Sequence, residues 1–133
     1  MTHQTKGGFT LIELLIVIAI IAILLAVGTT SYLTASKQSR DSRRKTDLEQ
    51  IRQALEMYRS ENGTYPAQGA GNTPSGLTPT YITTLPADPK EGTYYYAVGS
   101  PATTYSLCAT LEIVPASPVS GCGTDNNYKV QNP

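Results

Sequence analysis

Four sets of residues in this chain have chemistry worth locating. Glu13 is a carboxylate inside "FTLIELLIVIAIIAILLAVG", Phe9 to Gly28, and from Leu14 onward that stretch holds no polar side chain. Cys108 and Cys122 are the only thiols, and His3 is the one imidazole. Asp125, Asn126 and Asn127 line up three oxygen-bearing side chains near the C-terminus. Glu13 is the most unusual of these. An ionisable side chain in hydrocarbon is expensive, and where one occurs it marks a functional position by default. The others are thinner. Two lone cysteines are too few for a zinc site, and calcium prefers more oxygen ligands than one carboxylate and two amides supply.

The segment that holds Glu13 is helical in composition and as long as a membrane is thick. Twenty helical residues span roughly 30 Å, about one bilayer core. Residue types alone leave three readings open. Lys6, the apolar core and the small residues Ala26-Val27-Gly28 fit a secretory signal peptide, whose removal would release a disulfide-bonded binding domain. The same run fits an uncleaved anchor. Neither of these needs a carboxylate. The third reading must explain Gly7-Gly8-Phe9 and Glu13 together.

"KGGFTLIELLIV", Lys6 to Val17, resembles the N-terminus of type IV pilins and of the pseudopilins of type II secretion. "ALEMYRSENGTYP", Ala54 to Pro66, and "YITTLPADPKEG", Tyr81 to Gly92, resemble the major pseudopilins and related pilins. The resemblance implies a leader that a prepilin peptidase removes by cutting after Gly8. It implies N-methylation of the new first residue, Phe9, and an assembly role for Glu13. It implies a homo-oligomeric filament raised from the inner membrane by an assembly platform. The subunit would be single-pass before assembly, surrounded by membrane lipid, with its C-terminal domain outside the cytoplasm. The assembled filament would be periplasmic or extracellular. Many type IV pilins carry a proline near residue 28, and its absence here points toward the pseudopilin subclass.

Elementary electrostatics supports this role for Glu13. Cleavage leaves an amino cation on Phe9, also at membrane depth. Two opposite charges, each costly alone, neutralise each other in a low dielectric. A carboxylate that needs a neighbour's amine registers one subunit against the next. Catalysis has no comparable support. His3 lies in the leader, so the mature chain has no histidine triad or dyad, and no Ser–Lys or carboxylate constellation replaces it. The chain is not expected to be an enzyme. Ten basic residues balance ten acidic ones, so no overall field points to nucleic acid. A translocated domain is in a compartment that permits disulfides, and a Cys108–Cys122 bridge is expected there. Cys108 is on the polar face of its strand, so the bridge should pin the C-terminal segment to the outer face or edge of the sheet. Major pseudopilins carry an acidic calcium loop near the C-terminus. Here "GCGTDNNYKV" offers only Asp125, Asn126 and Asn127 as calcium candidates. No cofactor or metal is expected.

The remaining elements follow from periodicity. From Thr34 to Asp47 only Ala35 is apolar. This polar stretch reads as a solvated helix face, with Arg43 and Arg44 in reach of Asp47 and Lys45 in reach of Glu49. Leu48, Ile51, Leu55 and Tyr58 then form an apolar stripe at helical spacing, ended by Asn62-Gly63. Residues 63–92 are loop-like. Thr93 to Val98 is rich in Tyr and Thr103 to Ile113 alternates, so both read as strands, joined by a loop at Gly99 to Ala102, and a third strand is expected near Asn127 to Val130. Tyr105, Leu107, Ala109, Leu111 and Ile113 should face the helical stripe.

The expected fold is pilin-like α+β, a long N-terminal helix packed on a small antiparallel sheet. The divisions are a leader at 1–8, a transmembrane and filament-core helix at 9–28, its continuation at 29–62, amphipathic at its C-terminal end, and a loop-and-sheet domain at 63–133. The expected function is a structural subunit of a type IV pilus or pilus-like filament. The major pseudopilin of a type II secretion system is the second reading.

Overall fold

The computed structural model describes residues 7–90, 92–113, 119–123 and 126–132. Helix α1 spans Leu11–Asn62. A short 3-10 turn at Ala70–Asn72 follows. Strands β1 (Tyr95–Val98), β2 (Tyr105–Ala109) and β3 (Tyr128–Gln131) come last. They form one antiparallel sheet in the order β1-β2-β3. The chain divides into two units, residues 1–36 and residues 37–133.

In the first unit every side chain from Phe9 to Val27 is exposed, with Phe9 and Leu11 at 88%. A long run of Leu, Ile, Val and Ala with no proline makes the helix. An apolar helix open on all sides needs lipid or other helices around it. Among the described residues this is the one helix long and apolar enough to cross a bilayer.

In the second unit the helical stripe does what its spacing predicts. Leu48, Ile51, Ala54 and Leu55 are buried together with Tyr96, Tyr105, Leu107 and Ala109 from the sheet and Tyr65 and Leu77 from the intervening loop. Burying a leucine of this kind contributes about 1.5–3 kcal/mol. Tyr58 lies at the rim, edge-on to Tyr81 with ring centroids 5.3 Å apart. The helix stops where the sequence says it should. Gly63 takes the left-handed conformation, φ 76°, and its N–H donates to the Arg59 carbonyl.

The strands are shorter than their alternation suggests. β1 begins at Tyr95, although Tyr94 is still buried. The hairpin loop reaches Thr104, whose carbonyl accepts from Gly99 N–H. β2 ends at Ala109, not at Ile113. The reason is that side chains replace the strand partner there. Asn127 accepts from Leu111 N–H at 2.7 Å and donates to the Leu111 carbonyl at 2.8 Å. The next two amides, of Glu112 and Ile113, donate to the Asp41 carboxylate at 2.9 and 3.0 Å. Leu111 is buried as expected, but Ile113 is 48% exposed.

Candidate functional site

Glu13 lies in the first turn of α1. Its carboxylate accepts from both the backbone N–H of Thr10 (2.9 Å) and the Thr10 hydroxyl (2.7 Å), while Glu13 N–H donates to the Thr10 hydroxyl at 3.3 Å. This is a reciprocal capping box, Thr10 and Glu13 each satisfying an amide the helix start leaves open. The signal for it, Thr-x-x-Glu before an apolar run, is in the sequence. Glu13 thus serves its own helix in the single chain. Gly8 and Phe9 are exposed just before the helix, and His3 and Lys6 lie outside the described residues.

The polar middle of the helix departs from expectation. Its outward side is solvated, with Lys37, Ser42, Arg43 and Lys45 exposed, but its inward side is not. Asp41, Arg44 and Asp47 are 6%, 3% and 7% exposed. Arg44 reaches three carboxylates: Asp88 at 2.6 Å, Asp41 at 2.8 Å and Glu112 at 3.0 Å. Arg40 holds Glu112 with two hydrogen bonds, and Lys90 stands 3.6 Å from the same carboxylate. Asp47 pairs with neither Arg43 nor Arg44, and accepts the Tyr94 hydroxyl at 2.6 Å. Lys45 lies over the Tyr128 ring and does not reach Glu49. The stretch has few apolar residues because its inward side is ionic, and ions inside a protein must be paired. Three cations face three anions here. The cluster ties the helix to the loop at Asp88 and to the chain after β2.

Its charges fix one another. Hydrogen bonding to Asp88 first, then to Glu112 and Asp41, holds the Arg44 guanidinium above its ordinary value despite burial. Arg40 does most to hold Glu112 well below the carboxylate range, with Arg44 adding to it. Burial pushes Asp88 upward, but Arg44 and the backbone amides of Lys90 and Gly92 outweigh it, and the net shift is down. Burial, then the bond to Asp47, raises Tyr94.

Cys108 and Cys122 are bridged, with Cα atoms 5.7 Å apart. Strand alternation puts Cys108 opposite Leu107, so the bridge lies on the sheet face away from the helix. That face is not wet at this point, since both cysteines are fully buried. Gly121 and Gly123, at φ 83° and 73°, turn the chain on either side of Cys122. Of the calcium candidates, Asp125 lies outside the described residues. Asn126 donates to the Cys122 carbonyl, and Asn127 bridges Leu111 as above. Among the described residues no three His, Cys, Asp or Glu side chains gather as metal ligands do.

A capped apolar helix with exposed Gly8-Phe9, leading into a helix-on-sheet unit, narrows the comparison with known proteins. Residues 4–29 match the family model of the prokaryotic N-terminal methylation motif, and residues 31–111 match that of type II secretion system protein G. The chain belongs to the type II secretion system protein G family. Within it the chain is 32% identical to the type II secretion system core protein G of Pseudomonas aeruginosa, over 82% of this chain and 87% of that protein. Protein G kinship extends to pilins. The type IV wide pilus major component PilA4 of Thermus thermophilus is 38% identical over 80% of this chain and 83% of its own. The type IV major pilin protein PilA of Myxococcus xanthus is 41% identical over 47% of this chain and 29% of its own. No solved structure matches the chain. The protein G model covers the ionic cluster from Arg40 to Lys90 and ends at Leu111, one residue before Glu112.

Proposed function

We propose that this protein is a structural subunit of a type IV pilus or pilus-like filament. The observation that carries the reading is the helix from Leu11 to Val27, apolar and exposed on every side, under a methylation-motif match. Such a helix needs lipid before assembly and other copies of itself afterwards. A prepilin peptidase cuts after Gly8, and the new amine at Phe9 is methylated. The apolar segment then holds the subunit in the inner membrane, single-pass, with the sheet unit outside the cytoplasm. An assembly platform draws it into a periplasmic or extracellular filament. There Glu13 meets the Phe9 amine of a neighbouring copy. The Thr10 hydrogen bonds keep the carboxylate satisfied until that amine arrives. The role is structural, not catalytic, and it calls for no cofactor.

The major pseudopilin of a secretion system is the second reading. The protein G match over residues 31–111 favours it, while the pilus component of Thermus thermophilus supports the first. Mass spectrometry of the subunit from its native membrane tests the processing that both share. A chain beginning at methylated Phe9 is expected. A chain beginning at Thr29, or one retaining Met1, would remove the filament reading.

A further inference from the structure

Helix α1 ends on Asn62-Gly63, the one Asn-Gly pair in the sequence. Asparagine before glycine is chemically labile. The backbone nitrogen of the glycine attacks the side-chain Cγ of the asparagine, the bond from Cγ to Nδ2 breaks, and ammonia leaves. The succinimide ring so formed takes up water and opens to aspartate or to isoaspartate. Glycine favours the first step because no side chain shields its nitrogen. Gly63 meets that condition, since a Cβ there would touch nothing within 4 Å. Both residues are exposed to the water that the second step consumes.

The folded chain withholds both reacting groups. Gly63 N–H donates to the Arg59 carbonyl at 2.8 Å, which keeps the nucleophile inside the helix cap. Asn62 Nδ2 donates to the Tyr58 carbonyl at 2.9 Å and to the Tyr81 hydroxyl at 3.1 Å, which fixes the side chain. Tyr81 is itself anchored. Its hydroxyl donates to Glu61 at 2.6 Å, its ring meets Tyr58 edge-on, and its N–H donates to the Leu77 carbonyl. The side-chain amide of Asn62 thus joins the end of the helix to the turn at residues 77–82.

We propose that Asn62 is a deamidation site gated by the end of helix α1, shielded while Tyr81 is docked and converted when the helix end opens. The proposal stands apart from the filament reading. Conversion runs one way. An aspartate at position 62 has no proton to give the Tyr58 carbonyl, and the single Tyr81 hydroxyl proton then faces two carboxylates. The helix dipole also opposes a new anion at a helix C-terminus. Isoaspartate adds a carbon to the backbone before Gly63 and removes the cap itself. Either product holds open the end whose opening formed it, so residue 62 records that the subunit has been opened.

Peptide mass spectrometry of the full chain in detergent follows the change of the Asn62 amide to an acid. In mildly alkaline buffer the folded chain should convert at least roughly tenfold more slowly than the chain unfolded in denaturant. Tyr81→Phe keeps the ring and removes the hydroxyl, and should raise the folded rate roughly two- to tenfold, the worth of one hydrogen bond. Glu61→Gln leaves Tyr81 in place, weakens its anchor and should raise the rate by a smaller factor. Cys108–Cys122 bridge formation is the folding control for both. In the Asn62→Asp chain, amide exchange at Tyr81 and Ile82, whose N–H groups donate to the Leu77 carbonyl, should quicken while exchange at Leu48 and Leu55 does not. Equal rates in the folded and unfolded chains, or no rise in either variant, overturn the gate. Unchanged exchange in Asn62→Asp overturns the one-way step.

Discussion

Arg44 is the residue on which the second unit leans most. Its side chain is 4% exposed and bonds carboxylates from three separate parts of the chain. Removing one member of a buried ionic cluster leaves the others uncompensated. Arg44→Ala should therefore destabilise by about 3–5 kcal/mol, read as a shift in denaturant midpoint of the full chain in detergent. A loss below about 1 kcal/mol would place the cluster with surface ion pairs. The same cluster sets the acid response. Glu112 and Asp88 are held below their ordinary values of 4.5 and 3.8, so each binds its proton more readily in the unfolded chain. Unfolding takes up protons. The stability these groups add is present above their ordinary values and drains away as pH falls below them. Thermal midpoints measured from about pH 5 to pH 3 should fall less steeply for Glu112→Gln than for the unmodified chain. Equal slopes would mean Glu112 takes no part. None of this was legible in the sequence. Arg44 meets Asp88 and Glu112 across 44 and 68 residues, and no local spacing reports such pairs. Leu48, Ile51 and Leu55 were legible because one helix turn relates them.

At the scale of elements, the helix and the three strands follow from period and turn chemistry, while the ends of the strands do not. Alternation continues through Ile113, but β2 stops where Asn127 and Asp41 take over its amides. A side chain that imitates a strand partner leaves no periodic trace. Asn127→Ala removes both bonds to the Leu111 backbone and should cost about 1–3 kcal/mol, with faster amide exchange at Leu111 and in β3. Unchanged exchange there would mean the two bonds hold nothing. The disulfide was legible as a pair, since no other cysteine competes, though its complete burial was not. It closes a separation of 14 residues. Replacing both cysteines by alanine should lower stability by about 3 kcal/mol, and hydrogen exchange should quicken in β3 before it does in α1. Equal loosening of the helix would contradict the placement of the bridge on the far face of the sheet.

At the scale of the whole molecule, the question is why a carboxylate stands at the start of an apolar helix. The proposed function gives Glu13 two partners in succession. Thr10 satisfies it in the single subunit, and in the proposed filament the amine of a neighbouring Phe9 would do so. Glutamine at this position can still accept from Thr10 but brings no charge to the amine, whereas alanine does neither. Cleavage after Gly8 and residence in the membrane should survive both changes, because neither removes the apolar run. The direct measurement is the yield of sheared filaments against total membrane-bound subunit for Glu13→Gln beside the unmodified chain. The account predicts normal amounts of processed subunit in the membrane and few or no filaments. Filaments at the unmodified yield, from normally processed subunit, would contradict a role for the Glu13 charge in assembly.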